Sequence, residues 1–204
     1  EVDIFGLSGA HRTGKTTLAK LIAERCDLVY HDASVSSIMK EIGYNPVADS
    51  KLEERIVAQE YLLKRYEENV SSINKQFITD RTPLDFIGYT LGEVGMYSSQ
   101  ELSDRIDHFV DRCVLSTQKM FSGVIVCGFL PVYEKAEDKP PENIAYQRHV
   151  QMIIDGALEA AGNGTLVRGR LKETNLEKRV DIVESFIAAI RQNLAEEYAS
   201  QILH

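Results

Sequence analysis

Eight residues near the N-terminus, Gly9-Ala10-His11-Arg12-Thr13-Gly14-Lys15-Thr16, constrain the fold of this chain more than any other stretch. They stand between a short apolar run, Val2–Leu7, and a segment, Lys15–Cys26, whose apolar residues Leu18, Leu21 and Ile22 recur at helical spacing. Strand, glycine-punctuated turn and helix in that order open a β–α–β unit.

The turn fits the pattern GxxxxGK followed by Ser or Thr. Small glycines let successive backbone N–H groups face inward around a phosphate chain, and the following helix adds its positive dipole end. Lys15 is placed as a point charge for the β- and γ-phosphate oxygens. Thr16 offers a hydroxyl to Mg²⁺, which prefers oxygen ligands. The expected ligand is a nucleoside triphosphate, taken as Mg·ATP, contacted by Gly9, Ala10, His11, Arg12, Thr13, Gly14, Lys15, Thr16 and Thr17.

Strand and helix patterns alternate along the rest of the chain. Leu28–His31 reads as a second strand, followed by a helical stretch, Val35–Ile42. Lys51–Ile73 is a long amphipathic helix, and Gln76–Thr79 is the third strand. Pro83 suits the first turn of the next helix. Leu102–Lys119 is helical, and Val124–Cys127 is an apolar run typical of a central parallel strand. Pro131–Asn143 reads as a polar surface loop, Gln147–Ala161 as a helix, Thr165–Val167 as a last short strand and Leu176–Leu203 as the closing helix. The expectation is an α/β three-layer sandwich with a mainly parallel five-stranded sheet and helices on both faces. No composition shift divides residues 1–204, so one domain is expected.

Composition narrows the partners. The formal net charge of −8 argues against a general nucleic-acid binder, although a small basic groove can sit on an acidic protein. No signal-peptide pattern and no apolar run of about 18 residues is present, so no membrane segment is expected. The three cysteines, Cys26, Cys113 and Cys127, have no metal-site spacing. They read as free thiols in a reducing cytoplasm.

In open parallel sheets, ligands gather beyond the carboxyl ends of the strands. Asp80-Arg81 follows the third strand and so falls beside the glycine turn. Asp80 could hold Mg²⁺ or orient an attacking hydroxyl, and Arg81 could grip a phosphate bidentately. A surface ion pair with a capping role is the competing reading. Asp85, four residues on, could pair with Arg81 on one helix face.

These motifs resemble the nucleoside and nucleotide kinases that carry such a loop, above all the thymidylate kinase-like group. The chain is also similar to small kinase-like proteins encoded by bacteriophages. The resemblance rests on the loop GAHRTGKT, on FITDRTPLDFIGY with its strand-end Asp-Arg pair, and on the polar loop running into Arg148. It implies a lid at about residues 131–148. It makes Arg12 and Arg148 candidates to neutralise charge during transfer, and Asp80 and Arg81 organisers of metal and acceptor. The chain departs from the group in having His11 in place of a loop acid and TPLD after Asp-Arg. Its lid cations are only Lys135, Lys139 and Arg148. The acceptor's base therefore stays open. A homodimer is compatible with the resemblance.

Arg55 and Gln59 are four apart and share a helix face, which in the resembling kinases borders the acceptor. A solvated face is the alternative. Asp32 follows the second strand, either as a base for a nucleoside hydroxyl or as a cap for the next turn. Arg168 and Arg170 follow the expected last strand, near a purine pocket or in solvent. The reading is an ATP-dependent phosphotransferase whose acceptor is a nucleoside monophosphate. The rivals are a kinase acting on a hydroxyl of a nucleoside or nucleic acid, and a non-catalytic ATP-binding module.

Overall fold

The computed structural model describes residues 3–46, 48, 50–132, 142–162 and 164–202, with side chains to residue 193. Twelve elements follow in order: β1 (Ile4–Ser8), α1 (Lys15–Arg25), β2 (Val29–His31), α2 (Val35–Glu41), α3 (Leu52–Ser71), β3 (Phe77–Thr79), α4 (Pro83–Leu91), α5 (Gln100–Met120), β4 (Gly123–Cys127), α6 (Ile144–Ala160), β5 (Val167–Leu171) and α7 (Leu176–Ile202). The strands form one five-stranded sheet in the order β2-β3-β1-β4-β5, every pair parallel. The expected fold class is the one observed.

The period of two along each strand sorts the core into two layers. Phe77, Val124 and Val126 face a layer built with Ile56, Leu62, Phe86, Phe109 and Ile154 of α3, α4, α5 and α6. Phe5, Leu7, Ile78, Ile125 and Cys127 face the opposite layer with Leu18 and Ile22 of α1 and Val183 and Ile187 of α7. β1 and β4 are buried on both sides, which is why they read as continuous apolar runs.

Side chains cap the starts of α5 and α6, whereas α1, α2 and α3 have no side-chain cap. Ser99 accepts from the Leu102 N–H at 3.2 Å, and Asn143 from the Tyr146 N–H at 3.0 Å. These caps start α5 and α6 earlier than apolar periodicity suggested. The larger correction is β5, which occupies Val167–Leu171 rather than Thr165–Val167. Its VRGRL sequence looks like a loop because it lacks apolar alternation. It pairs along β4, while Arg168 and Arg170 reach Glu159 and Asp155 of α6. Both arginines are thus engaged with α6. No helix among the described residues is long and apolar enough to cross a membrane.

Candidate active site

The glycine turn leaves β1 at Ser8 and is held from behind by three elements. Gly9 adopts φ 138, and a Cβ there would stand 2.6 Å from the Cys127 carbonyl oxygen, so only glycine fits. Its N–H donates to Asp85 Oδ1 at 3.2 Å. The Ala10 N–H donates to Gln151 Oε1 at 2.8 Å, and Gln147 Nε2 donates to the His11 carbonyl at 2.7 Å. Gln147 and Gln151 are one helical turn apart on α6 and share a face. From α7, Arg179 Nη2 donates to the Thr13 carbonyl at 2.8 Å.

Asp85 ties the turn to α4. It is fully buried, its Oδ2 accepts the Thr82 N–H at 2.9 Å, and Thr82 caps the helix in return. The expected Arg81–Asp85 contact exists, but at 3.9 Å it is the looser of Asp85's attachments. Burial raises the Asp85 pKa, against the opposing pull of Lys15 and Arg81. Gly6 permits this approach, since a Cβ there would clash with Thr82 and Phe121. Ser8 and Thr82 share a short hydroxyl–hydroxyl hydrogen bond at the same contact.

Lys15 is 6% exposed. Its Nζ donates to the Gly9 carbonyl at 2.7 Å and the Ala10 carbonyl at 2.8 Å. Burial pushes its pKa down to about 8, with Arg81 adding to the fall and Asp85 opposing it. The ammonium is therefore lost from the free protein as pH rises through about 8. We expect kcat/KM for ATP to fall above that pH, while kcat at saturating ATP breaks later, because bound phosphates favour the charged lysine. Between about 8 and the unfolded value of 10.5 the unfolded chain binds more protons. Stability therefore gains from this group as pH rises, so unfolding is not the cause of the lost activity. A kcat/KM profile flat to about pH 9.5, roughly one and a half units past the expected break, would overturn this assignment.

His11, at the turn's tip, lies between the rings of Tyr89 and Tyr146, with centroids 6.3 and 6.2 Å away. Burial lowers its pKa to about 4, helped by Lys15, Arg81 and Arg12, so it is neutral at pH 7. Arg12 follows with φ 59, a left-handed conformation at the loop tip.

Thr16 Oγ1 and the Tyr30 hydroxyl both donate to Asp80 Oδ2, the latter at 3.1 Å. A hydroxyl and a carboxylate of this hardness suit Mg²⁺, which completes its shell with phosphates and waters. A cleft of about 680 Å³ opens from this point. Its walls include His11, Thr16, Asp32, Arg55, Gln59, Asp80 and Arg81. The Arg81 guanidinium lies 5.5 Å over the Tyr89 ring.

Arg55 and Gln59 are 8% and 3% exposed, which overturns the solvated-face alternative. Arg55 Nε and Gln59 Oε1 have no hydrogen-bond partner, a rare state for buried polar atoms. Asp32 lines the cleft, and its Oδ1 accepts the Ser34 N–H at 2.8 Å. It thus combines the capping role with access to the cleft. Thr17 is exposed on the first turn of α1. Arg148 is exposed on α6 and is not part of the cleft wall. Residues 133–141 of the proposed lid, with Lys135 and Lys139, lie outside the described residues.

Asp85 was legible as a partner of Arg81, but not as the anchor of the loop, for which the Thr82-x-x-Asp85 capping box was the signal. Other site residues were not legible. Gln147 and Gln151 had only their spacing. Tyr30, Tyr89, Glu93, Tyr146 and Arg179 had none, since contacts such as Tyr146 to Glu93 at 2.7 Å join distant segments.

The parallel sheet in the order β2-β3-β1-β4-β5 carries the loop after β1 and the Asp-Arg pair after β3, and its fold is shared with solved nucleoside and nucleotide kinases. No protein-family model and no curated protein matches the chain. Among solved structures, thymidylate kinase from Candida albicans is similar with a TM-score of 0.68 and 12% identity, over 93% of this chain and 92% of that one. Deoxyadenosine kinase from M. mycoides with bound dCTP is similar at a TM-score of 0.61 and 13% identity, over 91% and 99%. The YorR protein of Bacillus subtilis, in complex with phosphorylated GDP, gives a TM-score of 0.53 and 12% identity, over 93% and 98%.

Proposed function

We propose that this protein is an ATP-dependent kinase that transfers the γ-phosphoryl group to a nucleoside monophosphate. One observation carries the reading. A single cleft beside the phosphate loop is walled by the oxygen donors Thr16 and Asp80 and by the cations Arg55 and Arg81. Of the solved neighbours, the thymidylate kinase is named for a monophosphate acceptor, whereas the deoxyadenosine kinase is named for a nucleoside, so the neighbours include both acceptor classes.

In this reading Mg²⁺ would be held by Thr16 and, directly or through water, by Asp80, and would neutralise phosphate charge. Lys15 turns from the Gly9 and Ala10 carbonyls to the β- and γ-phosphates. Arg81 grips the acceptor phosphate. Arg55 and Gln59 supply unsatisfied polar atoms for the remainder of the acceptor. An oxygen of the acceptor phosphate forms a bond to the γ-phosphorus as the bond to the β–γ bridging oxygen breaks, leaving ADP. A phosphate dianion is already nucleophilic, so no strong base is needed, and positioning with charge stabilisation supplies the rate. The free thiols of Cys26, Cys113 and Cys127 suit a reducing cytoplasm.

ADP release, coupled to a reporter and screened with Mg·ATP over matched nucleosides and monophosphates, tests the reading. Release stimulated by a monophosphate supports it. Stimulation by nucleosides alone, or by nothing, defeats it.

In this reading Arg12, at the tip of the loop, would act on the transferring group. Arg12→Ala should lower kcat by roughly 10²-fold while raising the KM for ATP much less. A loss confined to ATP affinity would make Arg12 a uniform binding group instead. Arg148→Ala, on the exposed side of α6, provides the comparison; an equal loss of kcat there would bring the lid arginine into the reaction.

A further inference from the structure

Arg179 stands in the first turn of α7, yet it is 1% exposed and one of the largest fully buried side chains. Its Nη2 donates to the Thr13 carbonyl, and its Nη1 lies 3.1 Å from where a Cβ on Gly14 would be. Its Nε has no hydrogen-bond partner. Among the described residues no carboxylate pairs with it; the acids of α7 turn outward, where Glu177, Asp181 and Glu184 surround Arg25 of α1. Cys127 hydrogen-bonds to Arg179 but supplies no anion, because burial raises the pKa of its thiol against the pull of Arg179 and Lys15.

A buried guanidinium without a counter-ion is costly. A cation in the first turn of a helix also opposes the helix dipole. Both costs fall if an anion sits nearby, and the concave side of the phosphate loop is the adjacent place for one. The peptide plane adds a geometric link. In a trans peptide the Thr13 carbonyl and the Gly14 N–H point in opposite directions. With the carbonyl drawn back to Arg179, the Gly14 N–H is turned toward the inside of the loop.

We infer that Arg179 is a positioning residue whose missing counter-ion is the phosphate chain held in the loop, so that loop occupancy and the docking of α7 are coupled. This rests on the reading that a triphosphate fills the loop. Arg179 acts from behind, through the Thr13–Gly14 peptide and through its charge, and does not touch the nucleotide.

The test uses the full chain, thermal melting and calorimetric titration, with Mg·ATP and inorganic tripolyphosphate as ligands. Both should raise the wild-type Tm. Arg179→Met should melt, without ligand, at or above the wild type, because it removes an unpaired buried charge. Its ligand-induced rise should shrink and its Kd weaken by at least about tenfold. Arg179→Gln keeps a donor for the Thr13 carbonyl but no charge and should behave like the methionine variant. Arg179→Lys should recover most of the affinity. A merely structural arginine would give the opposite pattern, a lower Tm without ligand and an unchanged ligand-induced rise, and that overturns the inference. So does a glutamine variant with wild-type Kd. If the methionine variant does not fold, the glutamine variant decides, and failure of both to fold also overturns it. A wild type that binds neither ligand overturns the loop reading itself, which separates the two failures.

Discussion

Lys15→Ala should abolish Mg·ATP-dependent turnover, lowering kcat by roughly 10³-fold or more, with the fold intact. Lys15 is the buried ammonium of the loop, and its partners in the free protein are backbone carbonyls rather than a carboxylate. Those carbonyls cannot compete with two phosphates for the charge, so the side chain is held ready beside the site where negative charge develops. Removing one well-placed donor from such a site costs about 10²–10³ in kcat, and here a full charge leaves with it. The structural cost is small by comparison. Burial already disfavours the charged lysine, so the folded state gains little from it. Circular dichroism and the melting temperature should show a folded variant while the ADP-release assay shows no turnover. Wild-type turnover would remove the loop from the reaction.

Arg81→Ala should separate the two acceptor classes. With a monophosphate acceptor, kcat/KM should fall by the equivalent of about 2–4 kcal/mol, counting the charge-assisted hydrogen bonds and the anion left unpaired. Affinity for ATP should change little. Arg81 has capacity for this role because its contact with Asp85 is loose and its planar face already rests on Tyr89. With a nucleoside acceptor there is no second phosphate to grip. The same substitution would then matter little, whereas Asp32→Asn or Asp80→Asn would abolish transfer by removing the base. The structure adds a distinction between these two acids. Asp80 is committed to Thr16 and Tyr30 at the metal end, while Asp32 faces the cleft with one oxygen used by the Ser34 N–H. Steady-state kinetics of the three variants on one matched nucleoside and monophosphate pair decide the matter. Nucleoside activity that survives Arg81→Ala and disappears in Asp32→Asn would defeat the monophosphate reading.

What could be read without coordinates was whatever chemistry is local in the chain. The loop Gly9–Thr16 is contiguous, because a phosphate cradle is made of successive N–H groups followed by a helix start. The α/β alternation was legible because β1 and β4 are buried on both faces and so spell unbroken apolar runs. The Asp80-Arg81 pair was legible because parallel strands bring their carboxyl ends to one edge.

Tertiary structure decided everything that depends on which helix face turns inward. Arg55 and Gln59 looked equally able to face solvent, since one turn of spacing gives a shared face but not its direction. Packing of α3 against the sheet buried them at the cleft. The same holds for Arg168 and Arg170, whose strand was hidden by charges that only the acids of α6 make tolerable. Arg179 shows the limit most clearly. It lies 166 positions from Thr13, in a helix whose sequence reads as an ordinary amphipathic surface. Only the closing of α7 over α1 brings its charge beneath the loop, because no local periodicity encodes a contact between the two ends of a chain.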